Sequence, residues 1–210
     1  PEIQESHPSD GKSDFSFRVF RFKHFRLAVI AQFFYVGAQV GVGSFFIRFS
    51  KYTLNIAEKD AAFMWGSIAM VGFMAGRFVG TFIMKFIQPV RLLTAYAVIC
   101  VALLSLVIFY KGNVTVYALV AVPFFMSIMF PTIFALGIDG LGEESKIASS
   151  FIVMSIVGGA LFPVFMGQLS DANAGNIQLA YLVPLICFVV IAWYGFTQLK
   201  NKQVQIIAAH

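Results

Sequence analysis

Between Leu27 and Phe49 the segment LAVIAQFFYVGAQVGVGSFFIRF carries no charge before Arg48, yet it holds Gln32, Tyr35 and Gln39. At about 100° per helical residue, these three and Gly43 fall within roughly an 80° arc, while Gly37, Gly41 and Ser44 lie on the other side. An amide both donates and accepts hydrogen bonds, and a tyrosine adds a hydroxyl and an apolar ring, so the stripe suits a neutral hydrogen-bonding ligand. A carboxamide facing hydrocarbon without a partner is costly. The stripe therefore faces either a water-filled cavity or polar groups on neighbouring helices, with the small residues behind it allowing close packing.

Other groups with chemical potential are sparse. Arg77 is the only ionised side chain well inside an apolar run; as a structural clamp it can pair with a carbonyl or with an acid such as Asp139, and a gate contact or a substrate contact are the alternatives. Pro123, Ser127 and Pro131 are spaced by four in AVPFFMSIMFPTIFALG, as are Ser155, Gly159, Pro163 and Gly167 in a later run. Each proline removes a helix hydrogen bond and bends its segment, which at membrane depth is tolerated against protein or a cavity. Gly72, Gly76 and Gly80 form a ladder for close helix packing. No Asp, Glu or His falls inside an apolar run to serve Ser127, Ser149, Ser150 or Ser155, so catalysis by a nucleophile–base pair is not expected. Cys100 and Cys187 lack a CxxC spacing or a nearby His and read as packing residues, with no metal or cofactor.

The elements that position these groups follow from composition. The chain is 59% hydrophobic and 12% charged, with 25 Phe among 210 residues, and its mean hydropathy is +0.82. A bilayer core of about 30 Å requires about 20 apolar residues per helix, and six such runs occur at about 27–49, 61–86, 91–110, 114–138, 147–169 and 178–199. Short loops join them, as in Lys111-Gly112-Asn113. The expected fold is an all-α membrane protein of six transmembrane helices. Residues 1–26 read as a linker ending in a basic aromatic anchor, Arg18 to Arg26, and 200–210 as a tail. With no initiator Met or signal-peptide pattern, the chain is expected to begin within a longer product.

Charge sets the expected orientation. With the N-terminus inside, Lys12, Arg18, Arg21, Lys23, Arg26, Lys85, Arg91, Lys146, Lys200 and Lys202 lie inside, against Arg48, Lys51, Lys59 and Lys111 outside. Both termini are thus expected in the cytoplasm. The net charge of +5 reflects this topology; nucleic-acid binding would call for a basic face on a soluble fold, whereas anionic headgroups suffice as a partner for the 18–26 run.

Four stretches, AQFFYVGAQVGVGSFFIRF, GRFVGTFIMKFIQPVRLLTAYA, FMSIMFPTIFALGI and SSFIVMSIVGGALFPVFMGQLSD, resemble the second half of the fucose/glucose–galactose permease group of the major facilitator superfamily. The resemblance covers residues 24 to about 198. It implies the C-terminal, six-helix half of a twelve-helix transporter of the plasma (bacterial inner) membrane, in a three-plus-three arrangement with both termini cytoplasmic. The superfamily loop G-x-x-x-D-R-x-G-R is matched at Gly72, Arg77, Lys85 and Arg91, but Gly76 stands where the Asp would be and the last Gly is shifted to Gly80. The acid of that loop is missing, while GRF-x-G is the pattern of the narrower permease group.

The resemblance implies uptake of a monosaccharide coupled to a cation, a proton by analogy, through alternating access. Proton coupling needs a group that titrates within the membrane, and none lies inside these spans, so the coupling acids are expected in the N-terminal half. Gln32, Tyr35, Gln39, Ser127 and Ser155 are then the expected sugar contacts, and Gly72, Gly76, Arg77, Gly80, Pro131, Gly159 and Pro163 the conformational elements. A non-transporting membrane scaffold derived from a half-transporter is the alternative, against which the retained polar stripe argues.

Overall fold

The computed structural model describes the backbone of residues 17–208 and the side chains of 18–200. Of the expected linker and anchor over 1–26, residues 1–16 lie outside these bounds; of the expected tail over 200–210, residues 209 and 210 lie outside, as do the side chains of 201–208. Among the described residues, six helices are long and apolar enough to cross a membrane: α1 (Lys23–Leu54), α2 (Glu58–Ile83), α3 (Pro89–Phe109), α4 (Asn113–Ile138), α5 (Gly142–Ala172) and α6 (Ile177–Lys200). Several run beyond the apolar stretches of the sequence, because a helix continues through the interface until a cap or a turn residue stops it. Asn55, in the left-handed conformation at φ 53°, closes α1. Pro89 opens α3 at its first turn, and the Asn176 side chain accepts from the backbone N–H of Gln178 at 3.1 Å and of Leu179 at 3.4 Å to cap α6. At the other extreme, α2 ends at Ile83, short of the expected 86, where Met84 turns the chain.

The core lies along α1, which packs against α5, α6, both halves of α4 and α2. Phe46, Phe49, Leu93, Leu104, Leu119, Phe188 and Ile191 fill it, together with the buried, free Cys100 and Cys187. At the α3–α6 seam, a Cβ on Gly195 would meet Thr94 Oγ1 at 2.3 Å. Gln178 Nε2 donates to the Val107 carbonyl at 2.8 Å and to that of Tyr110, tying the start of α6 to the end of α3, and the Tyr181 hydroxyl donates to the Val42 carbonyl at 3.4 Å.

Regular helix fails at several places, of which one is set by a proline. A turn at Ser127–Ile128 interrupts α4, α2 opens into a π-helical turn over Met64–Ala69, and α5 tightens to 3-10 geometry at Ser155–Val157. These irregular turns lie between the ends of their helices.

Candidate functional site

The break in α4 follows from one residue. Pro131 has no N–H, so the Ser127 carbonyl, four residues earlier, has no helical donor. Arg77 on α2 supplies one: its Nε donates to Ser127 O at 3.2 Å. One residue earlier, the Tyr35 hydroxyl on α1 donates to Met126 O at 3.0 Å. Two neighbouring helices thus satisfy the backbone that the break exposes, as an apolar interior demands. The Ser127 hydroxyl turns back to Phe124 O at 2.7 Å, and Thr132 donates to Ile128 O at 2.7 Å.

The glycines of α2 bring Arg77 to this place. A Cβ on Gly76 would lie 2.2 Å from the Phe124 carbonyl oxygen, and one on Gly80 would lie 2.4 Å from Ile128 Cγ2; only glycine allows so close an approach. Gly72 differs from the expected ladder. A Cβ there would meet nothing within 4 Å, so Gly72 is not part of this contact.

The polar stripe on α1 runs along this junction, with a different setting at each turn. Gln39 is half-buried and, with Trp65, Met70, Phe73, Pro123 and Met126, lines a cavity of about 70 Å³. Trp65 projects from the π-helical turn to lie 4.9 Å from the Phe46 ring, in space that Gly43 leaves: a Cβ on Gly43 would come within 2.9 Å of the indole. Tyr35 is fully buried, its ring 6.1 Å from Phe130. Gln32 is also fully buried and does not line the cavity beside Gln39; among the described residues, neither of its amide atoms has a hydrogen-bond partner. Trp65 and Phe73 were not singled out from the sequence. The only local signal is that π-helical turns cluster at functional sites, and such a turn has no clear sequence signature.

A second cavity, about 610 Å³, opens between the C-terminal ends of α2 and α4 and the start of α3, lined by Arg77, Thr81, Met84, Pro131, Thr132 and Asp139 among others. Arg77 joins the two cavities, since its guanidinium lies 5.5 Å from the Phe73 ring. Of the two expected partners of Arg77, the carbonyl is the one it meets; Asp139 shares the cavity without an ion pair.

The stripe Ser155, Gly159, Pro163 on α5 is a packing surface against α1. Ser155 is buried and its hydroxyl donates to Val29 O at 3.2 Å and to Phe151 O at 3.3 Å, which places it away from either cavity. A Cβ on Gly159 would lie 2.9 Å from Val40, and Pro163 is half-buried. On the facing side of α1, a Cβ on Gly37 would lie 2.1 Å from the Phe162 ring, and one on Gly41 would lie 2.6 Å from Met166 Sδ; Ser44 is exposed.

No family model matches the sequence. Among curated proteins, the chain is 44% identical over 195 residues to the L-fucose-proton symporter of Escherichia coli (strain K12), covering 91% of this chain and 44% of the relative. It is 37% identical over 209 residues to the glucose/galactose transporter of Brucella abortus biovar 1 (strain 9-941), covering 96% of this chain and 48% of the relative. The fold matches a crystal structure of FucP, a major facilitator superfamily transporter, in the outward conformation, with a TM-score of 0.84 and 42% identity over 94% of this chain and 48% of that one. The chain spans about half the length of the curated relatives it matches. The chain is an integral, multi-pass membrane protein with six candidate spans among its described residues, and its fold matches about half of a major facilitator superfamily transporter, as its sequence matches about half of L-fucose and glucose/galactose transporters.

Proposed function

We propose that this chain is the C-terminal half of a secondary transporter that carries a monosaccharide, of the L-fucose or glucose/galactose type, across the plasma (bacterial inner) membrane by alternating access, coupled to a cation, a proton by analogy with its relatives. The observation that carries the reading is the wall at the α4 break, where the Gln39 amide stands beside Trp65 and Phe73. An amide can donate to and accept from sugar hydroxyls, and flat aromatic faces match the C–H surface of a pyranose. The cavity here holds only one or two water-sized volumes at about 30 Å³ each, so it is one wall of a site whose opposite wall comes from the N-terminal six-helix half. Gln32, with both amide atoms unpaired and fully buried, is the neighbouring group with most to gain from a hydroxyl, and it becomes reachable when the helices rock. Since no Asp, Glu or His lies within the apolar part of the spans, the coupling acids are assigned to the other half.

Sugar-binding titrations on Gln39→Ala and Gly37→Ala, matched for folded protein, test this reading. Loss of one neutral hydrogen bond costs about 0.5–1.5 kcal/mol, so Gln39→Ala should weaken apparent affinity several-fold to about tenfold. Gly37→Ala, which collides with Phe162, should lower the folded yield with little effect on affinity. Normal binding by a Gln39→Ala protein that unfolds more easily would make the amides interhelical glue.

A further inference from the structure

The basic aromatic run ahead of α1 is held in a defined place. Phe17–Arg21 forms a 3-10 turn whose Val19 is fully buried with Phe25 against Leu141, Ala148 and Ile152. Phe20 stacks edge-on with Phe25 at 5.4 Å and with Phe151 at 4.9 Å. The apolar side of the run is thus clamped onto the α4–α5 connection and the first turns of α5. Its other side presents Arg21, Phe22, Lys23 and Arg26, all exposed. Arg21, Lys23 and Arg26 form no ion pair with any described residue, although Glu143 and Glu144 stand nearby in the first turn of α5.

Helix length places these cations. At about 1.5 Å per residue, the 32 residues of α1 span about 48 Å, well beyond a hydrocarbon core of about 30 Å. The uncharged stretch of α1 begins at Leu27, so Arg21, Lys23 and Arg26 fall in the headgroup layer next to it. Because the helices alternate in direction, Lys85, Arg91, Lys146 and Lys200 stand at the same end of the bundle. Phe22, 40% exposed, projects an apolar ring among the cations, the composition of an interfacial anchor.

We infer that Arg21, Lys23 and Arg26, with Phe22, form a binding surface for anionic phospholipid headgroups, and that through Val19, Phe20 and Phe25 the bound lipid fastens the α4–α5 connection to the membrane surface. Each Lys or Arg near an anionic surface adds to the attraction, which orders the clamp more strongly than its small apolar cluster alone. This property is independent of the transported solute.

The test is retention of phosphatidylglycerol against phosphatidylcholine by the purified protein from an equimolar mixture, read by native mass spectrometry, with the thermal midpoint followed in parallel. The protein should retain phosphatidylglycerol preferentially and gain in thermal midpoint from it. Arg21→Gln/Lys23→Gln/Arg26→Gln should lose the preference by about tenfold or more, whereas Arg21→Lys/Arg26→Lys and the opposite-end control Lys51→Gln/Lys59→Gln/Lys111→Gln should keep it. Raising salt from 0.1 to 1 M, which shortens the screening length from about 10 to about 3 Å, should reduce it. Equal retention of the two lipids, or equal phosphatidylglycerol retention by the native and triple-Gln proteins, would overturn the inference, as would a preference that vanishes only in the opposite-end control.

Discussion

Arg77 illustrates how a charged side chain comes to rest in an apolar span. Among the described residues it has no acid partner; it answers a carbonyl that Pro131 leaves without a donor. This pairing makes the two residues thermodynamically coupled. Arg77→Ala in the native background orphans the buried Ser127 carbonyl, at a cost of about 1–3 kcal/mol. With Pro131→Ala present, the new backbone N–H at position 131 can bond Ser127 O along the helix, so Arg77→Ala should then cost markedly less. A double-mutant cycle on thermal stability in detergent reads the difference directly, and additive effects would show that Arg77 acts elsewhere. The same residue scale explains why the α1 stripe was only partly legible. A helical wheel gives the angle of Gln32, Tyr35 and Gln39 but not their depth. The seven residue steps from Gln32 to Gln39 cover about 10.5 Å of rise, enough for one amide to end in a sealed interior and the other beside a cavity.

At the scale of elements, the apolar runs made all six spans legible, because the length of an uninterrupted run is set by the bilayer. Irregularities inside the spans were legible only where proline caused them. The prolines of α4 announced a bend, and the missing N–H of Pro131 sets its position at Ser127. The π-helical turn of α2 has no comparable cause in MWGSIA, and the setting of the glycines depends on a neighbour's path that no local pattern encodes. Gly72, Gly76 and Gly80 look equivalent in sequence and differ in space. We therefore expect opposite signs for two identical substitutions. Gly76→Ala drives a methyl into the Phe124 carbonyl, a backbone atom that cannot step aside, and should destabilise by roughly 1–3 kcal/mol. Gly72→Ala meets open space and should stabilise by up to about 0.5–1 kcal/mol through the lower entropy cost of fixing alanine in a helix. Thermal unfolding of the two variants checks both signs; destabilisation of similar size in each would mean that Gly72, like Gly76, is packed against a neighbour.

At the scale of the molecule, the main packing pairs are unchanged when the first three helices are exchanged with the last three. Contact of α1 with α5 maps onto α4 with α2, α1 with α6 maps onto α4 with α3, and the α3–α6 seam maps onto itself. Since three is odd, the second unit starts from the opposite membrane face, which gives the inverted repeat common among transporters. No convincing sequence match between 27–110 and 114–199 had signalled it, because packing constrains the size and polarity of a face far more than residue identity. The charge bias predicts the orientation, so a membrane-impermeant amine reagent should label exposed Lys111 from outside the cell and exposed Lys146 only after the membrane is opened. The reverse order would invert the topology.

The symmetry also locates the face on which the proposed second half would seat. The two helices that exchange with each other, α2 and α5, are the least enclosed, with 17% and 28% of their apolar windows buried against 44–56% for the other four. Phe63, Met74 and Phe78 on α2 and Met154, Val157 and Phe165 on α5 are exposed, and α1 and α4, which carry the stripe and the break, connect them. Lipid can cover such apolar flanks. It cannot cover Gln39 or the polar groups around Arg77 without loss, and rocking around a shared site needs a second body to rock against. Residues 1–210 alone should therefore insert and fold, self-associate in detergent through this face, and give no sugar accumulation in vesicles under an imposed proton gradient. Co-expression with the N-terminal half of a similar full-length carrier should reduce self-association and restore uptake. Accumulation by vesicles containing residues 1–210 as a monomer would contradict the reading that half of the transport pathway lies outside this chain.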